Sequence, residues 1–205
     1  MANRKQHIVE LAAEVVYRQG FKGTSVDNVL EIAGVGKGNF YHYFRSKDDL
    51  GVAIIGEIEK WVNGAAGDEL FSRSKSPRQR LRDYLTFIAR QRHSDNHGDP
   101  LGNLLAELGD VEPFAKPLRR ALESLIDRFE ALVSEYAMER GSTVHARSMA
   151  RAFAADIQGL CTIYKVEQDQ LAFDEGLAQI EGLLESQAFQ RVPVSQGQSS
   201  YSSSE

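Results

Sequence analysis

The sequence predicts an all-α chain of about nine helices, and three observations predict it. Apolar residues recur every three to four positions almost throughout. No Asn-Gly or Asp-Gly turn separates two alternating apolar runs, so no hairpin signal competes with the helical period. The breaks, at residues 20–23, 34–36, 45–46, 72–77, 95–100, 109–113, 141–143 and 168–170, are spaced for helices rather than strands.

The elements follow in order. Over residues 4–19, Ile8, Leu11, Ala12, Val15 and Val16 form an apolar stripe, with Glu14 and Arg18 paired on the outside. Gly20 to Gly23 stop that helix. Thr24 is the expected N-cap of the second, with Asp27 three residues on, close to a capping box, and Val26, Val29, Leu30 and Ala33 facing inward. Ala33-Gly34-Val35 is a short turn leading at once into a third helix over 36–44. Ser46 caps a fourth helix that begins at Lys47. Further helices are expected over 77–93, around Leu101–Leu105, over 113–140, and in two segments after 143. Residues 193–205, with six serines and no Lys or Arg, hold too little apolar surface to offset ordering and are expected to be a disordered tail.

The composition of the 205 residues narrows the function classes. A single cysteine, Cys161, excludes an intramolecular disulfide and a four-thiolate zinc site. No apolar run approaches the roughly 18 residues of a membrane span, so a cytoplasmic protein with no membrane partner is expected. No nucleophile–base arrangement, Gly-rich phosphate loop or convincing metal set is found, and the chain is expected to be no enzyme and to need no cofactor. The net charge of −5 is unevenly spread: residues 1–47 carry seven basic against four acidic groups, a net of +3, leaving −8 on the remainder. A basic head on an acidic body is the layout of a chain that meets an anionic surface at one end.

Two short helices across a glycine turn suggest a helix-turn-helix. At about 100° per residue, Phe40 and Phe44 share one side of the third helix, while Lys37, Gly38, Tyr41 and His42 occupy the other. That second side suits DNA. It offers a charge, a backbone that a phosphate can approach closely, and two rings with polar tips and apolar edges. The pattern Gly20-Phe21, Thr24-Ser25-Val26, Ala33-Gly34-Val35, Gly38-Asn39-Phe40-Tyr41-His42-Tyr43-Phe44, Ser46-Lys47 and Leu50 closely resembles the DNA-binding domain of the TetR family of bacterial transcriptional repressors. The resemblance implies that Ser25, Gly36, Lys37, Gly38, Tyr41, His42, Tyr43 and Lys47 meet DNA. Where the family commonly has a capping serine, this chain has Gly36, which removes one hydroxyl. The implied organisation is a DNA-binding head over 1–50, a ligand-binding and dimerisation body over 51–192, and the tail.

The resemblance also implies a homodimer on a palindromic operator in double-stranded DNA, released by a small-molecule effector, with the last two long helices at the dimer interface. Phe153, Ile157, Leu160, Leu177, Ile180 and Leu184 recur at helical spacing there. For the effector pocket the candidates are Tyr84, Phe87, Ile88, Asn103, Leu104, Phe114, Leu118, Gln158 and Tyr164. The run His93 to Asp99 gathers two imidazoles and two carboxylates and reads as a solvated loop rather than a metal site. Two alternatives stay open: a helical small-molecule-binding protein or enzyme without DNA binding, and a repressor released by a protein partner or by oxidation of Cys161.

Overall fold

The computed structural model describes residues 4–90 and 99–185 in full, with only the helical backbone at 2–3 and 91–93. The expected tail and most of the polar loop, residues 94–98, lie outside the described residues. Among the described residues all regular structure is helical: α1 (Ala2–Gln19), α2 (Val26–Ala33), α3 (Lys37–Tyr43), α4 (Lys47–Asn63), α5 (Ala65–Leu70), α6 (Pro77–His93), α7 (Pro100–Leu108), α8 (Ala115–Arg140), α9 (Ala146–Glu167) and α10 (Gln170–Gly182), closed by a 3₁₀ turn at Leu183–Glu185.

Two local expectations are corrected. The N-cap of α2 is Ser25, not Thr24. The Ser25 hydroxyl accepts the Asn28 N–H at 3.1 Å, and the Asn28 carbonyl oxygen accepts the Ser25 N–H at 3.1 Å, completing a capping box one residue later than expected. Thr24 is buried instead, its hydroxyl donating to the Gly20 carbonyl at 2.8 Å and tying the turn together. The second correction is a break at Gly64 that separates α4 from α5. A side chain there would lie 2.6 Å from the Lys60 carbonyl oxygen, so this break is open to a residue without one.

In the head, α1 packs against α2 and α4; α4 then runs on into the body and lies along α8. Around α8 stand α6, α7 and α9, with α10 covering α6 and α9. The buried apolar residues form one continuous cluster from Ile8 in α1 to Leu184, so head and body share a core. Near its centre the Phe129 ring meets Phe71, Tyr84 and Phe153 at 5.7, 5.1 and 6.1 Å. Carboxylates on α8 (Glu123, Asp127 and Glu130) gather around Arg147 of α9, and Arg78 and Arg82 of α6 grip Glu181 of α10.

The proposed dimer residues lie mostly in the chain's own core. Phe153, Ile157, Leu177, Ile180 and Leu184 are each buried within the chain's own core, and Leu160 is half-buried. Most of the apolar stripe of α9 and α10 therefore packs inward, while Leu160 and Ile180 also line an open groove between α9 and α10 beside Ile163. The outward face carries Ile163 and Val166, at 52% and 83% exposure.

Candidate functional site

The head is built to present α3. Gly34 ends α2 in the left-handed region at φ 60°, its N–H bonded to the Glu31 and Leu30 carbonyls, and Val35 follows with an N–H to Leu30. Phe40 and Phe44, at 0% and 2% exposure, anchor α3 in the core. Lys37, Gly38, Tyr41 and His42 are all exposed on the other side, and no atom stands within 4 Å of where a Gly38 side chain would begin. Tyr43 is half-buried with its ring edge-on to His42 at 4.9 Å. Gly36 caps α3 by its backbone alone. Ser25 is exposed at the start of α2, but its hydroxyl is already engaged with Asn28.

Lys47 lies differently from the phosphate-facing position expected of it. Its ammonium donates to the Phe21 and Thr24 carbonyls at 2.9 and 2.8 Å and sits 4.4 Å from the Phe21 ring centre. Two of its three N–H bonds are thus spent inside the head. At the same helix start, the Ser46 hydroxyl accepts the Asp49 N–H, while the Asp49 carboxylate turns back to accept the Arg45 N–H. This caps α4 with a negative charge at the positive end of its dipole.

The turn between α1 and α2 is also held from the body. The Glu107 carboxylate, near the end of α7, accepts the backbone N–H of Phe21 at 2.9 Å and of Lys22 at 2.5 Å, and the Lys22 ammonium donates to the Glu107 carbonyl at 3.2 Å. Phe21 packs edge-on against Phe114 at 4.9 Å. Both rings lie over Gly51 of α4, where a Cβ would come within 2.6 Å of Phe21 and 2.8 Å of Phe114. A further tie joins the Gln6 amide of α1 to the Glu57 carboxylate of α4 at 2.8 Å.

A cavity of about 350 Å³ lies beside this joint, lined by α1 (Tyr17), α4 (Glu57, Trp61), α6 (Tyr84, Phe87) and the start of α7 (Asp99, Leu101). Asp99 caps α7, its carboxylate accepting the Leu101 and Gly102 N–H groups at 3.1 Å each. Burial nonetheless pushes the Asp99 carboxyl above the usual carboxylate range, because removing a charge from water costs more than those bonds return. Burial, reinforced by the Asp99 charge, likewise raises the Tyr17 and Tyr84 phenols. Glu57 goes the other way: its partial burial is outweighed by hydrogen bonds from Lys60 and Gln6, which hold it below its ordinary value.

Of the nine pocket candidates, only Tyr84 and Phe87 line this cavity. Ile88, Leu104 and Leu118 are buried core, and Phe114 belongs to the head–body joint. Gln158 stands behind Gly102, beside the Asp99 carboxylate; Tyr164 packs on Phe173 at 4.9 Å; and Asn103 accepts a hydrogen bond from Lys165. Asn103 and Lys165 face a separate cleft between head and body. Sequence reasoning missed Tyr17, Glu57, Trp61 and Asp99. For Asp99 a signal was present, since Asp before Pro100 is the signature of an N-cap followed by proline at the first helical position.

The comparisons agree with this architecture. Residues 8–54 match the family described as bacterial regulatory proteins, tetR family. The chain is 31% identical over 178 residues to an uncharacterized HTH-type transcriptional regulator in the lacX 3' region of Lactococcus lactis subsp. lactis, spanning 82% of this chain and 87% of that protein. It is 29% identical over 189 residues to the HTH-type transcriptional repressor DhaR of Mycobacterium sp. strain GP1, spanning 89% and 93%. In fold it resembles a TetR-family transcriptional regulator from Agrobacterium tumefaciens with a TM-score of 0.79, at 21% identity, over 90% of this chain and 97% of that one. With the glycine turn, the buried Phe40–Phe44 pair and the exposed face of α3 already established, these similarities show that the chain belongs to the TetR family of bacterial DNA-binding transcriptional regulators.

Proposed function

We propose that this regulator is a homodimeric repressor whose two α3 helices enter successive major grooves of a palindromic operator, about 34–36 Å apart, and that an effector in the cavity between α1, α4, α6 and α7 releases it. The observation that carries the reading is the division of α3: Phe40 and Phe44 buried, and Lys37, Gly38, Tyr41 and His42 exposed on one side. Residues 1–50 act as the DNA head, with Ser25, Gly36 and Tyr43 flanking the reading face, and 51–192 as the body. Lys47 is assigned first to holding the Phe21–Thr24 turn, its remaining N–H being the one left for a phosphate. Relatives that bear the name repressor, DhaR among them, support repression rather than activation. We read the chain as acting on DNA in the cytoplasm without catalysis of its own.

Release follows from the cavity's lining. Tyr17 belongs to the head and Asp99 to α7, whose other end holds the head through Glu107. An occupant that fits one placement of these groups better than another shifts the head by that difference in affinity and by no more. Release by oxidation has less support. Burial pushes the Cys161 thiol up to about 12, so at neutral pH the reactive thiolate is scarce.

Fluorescence anisotropy with the DNA upstream of the protein's own gene tests the reading. The parent should bind with an affinity that falls steeply with salt. Lys37→Ala and Tyr41→Ala, with unchanged circular dichroism, should bind about tenfold or more weakly, in line with about 1–3 kcal/mol for a contact at a base edge or phosphate. Equal affinity of parent and variants would remove α3 from the interface.

A further inference from the structure

The lining of the effector cavity limits the charge of what it can hold. Among the described residues that form it there is no Lys, Arg or His, whereas two carboxylates, Asp99 and Glu57, face it. Glu57 is ion-paired with Lys60 and accepts a hydrogen bond from Gln6. Asp99, at 8% exposure, is held by backbone N–H groups; the Lys165 ammonium, close enough to favour its charged form, is bonded to Asn103 and lines the other cleft rather than this one. The polar end of the cavity is therefore one buried carboxylate with two phenols close enough to feel its charge. The Tyr17 and Tyr84 side chains both line this end of the cavity, and a phenol hydroxyl can donate and accept a hydrogen bond to whatever occupies it.

The rest of the wall is aromatic. Trp61 and Phe87 stack at 4.7 Å with their planes 23° apart, and Tyr84 stands 6.2 Å from Phe87. Ring faces attract cations and accommodate flat apolar bodies, while an anion placed here would meet two carboxylates and no basic partner. The volume, about 350 Å³, falls at the small end of ligand sites.

We propose that the effector is a small organic cation with an aromatic body, its positive group lodged against Asp99 and the Tyr17 and Tyr84 hydroxyls and its ring against Trp61 and Phe87. This rests on the reading of the cavity as the effector site. It also explains how occupancy reaches DNA, since the cationic group would touch Tyr17 of the head and Asp99 of α7 at once.

Trp61 is the only tryptophan of the chain, so its fluorescence reports this wall alone. The full-length protein is titrated with benzyltrimethylammonium, with its uncharged isostere neopentylbenzene, and with phenylmethanesulfonate. The cation should quench Trp61 and bind about tenfold more tightly than the isostere, the equivalent of about 1.4 kcal/mol for a desolvated cation on aromatic and carboxylate groups. The sulfonate should not bind. Asp99→Asn, which keeps a good N-cap for α7, should abolish that preference while leaving the helical spectrum unchanged. Tighter binding of the isostere or the sulfonate, or no quenching by the cation, overturns the proposed class. In parallel the same probes are added to the protein–DNA complex. A cation that quenches Trp61 with the expected preference yet leaves DNA bound would uphold the class of ligand and refute the effector reading. A neutral or anionic probe that binds and releases DNA would do the reverse.

Discussion

At the scale of single residues, two glycines with opposite surroundings separate packing from DNA contact. Gly51 lies under Phe21 and Phe114, and Gly51→Ala would drive a methyl group to within 2.6–2.8 Å of both rings. Overpacking of this kind costs about 1–3 kcal/mol, a fall in Tm of about 2–4 °C per kcal/mol for a chain of this size. Gly38, exposed on α3, has nothing within 4 Å of its missing side chain. Gly38→Ala should leave Tm unchanged or slightly raised, because alanine favours a helix by about 0.5–1 kcal/mol, and weaken DNA binding by crowding the backbone approach. Thermal melts and anisotropy titrations check both; a Gly51→Ala protein as stable as the parent would contradict the packing account. The side of α3 that each residue takes was legible in the sequence, because it needs only the local 3.6-residue period. The role of Gly51 was not, since it depends on Phe21 and Phe114, which are distant along the chain. Asp99 was misread for another reason: its neighbours His93 and His97 drew it into a polar loop, although Pro100 marked it as a cap.

Among the elements, α7 is the short connection between cavity and head. Asp99 caps its start inside the cavity, and Glu107 near its end accepts two backbone N–H groups of the α1–α2 turn. Glu107→Ala leaves those donors without their partner, at about 1–3 kcal/mol for buried groups and less where water reaches them. The Phe21 and Lys22 amides should then exchange hydrogen markedly faster than in the parent, while amides in the middle of α8 keep their protection. Unchanged exchange at both amides would mean that Glu107 does not hold the turn. Most helix boundaries were legible from Gly, Pro and Ser punctuation. The break at Gly64 was not, because Asn63-Gly64 sits inside a continuous helical period and only the collision with the Lys60 carbonyl reveals it. The apolar stripe of α9 and α10 was legible, but most of it packs on its own chain, since periodicity reveals that a face is apolar and not whether it meets its own chain or another.

For the whole molecule, the uneven charge gives the division of labour. Residues 1–47, of net +3, approach DNA through a few placed groups, and the remaining residues, of net −8, disfavour unspecific coating of the polyanion. Reading two half-sites requires a second copy, and the outward apolar side chains of α9, Ile163 and Val166, are where we place that contact. Because both are exposed, Ile163→Glu should leave the fold intact and separate the subunits. The most direct test of the account is a hydroxyl-radical footprint on the DNA upstream of the gene, taken for the parent and for Ile163→Glu. The account predicts two symmetric protected patches one helical turn apart for the parent, and loss of the paired pattern in the variant at the same protein concentration. A single protected patch, or a paired pattern unchanged by a variant shown to be monomeric, would contradict it.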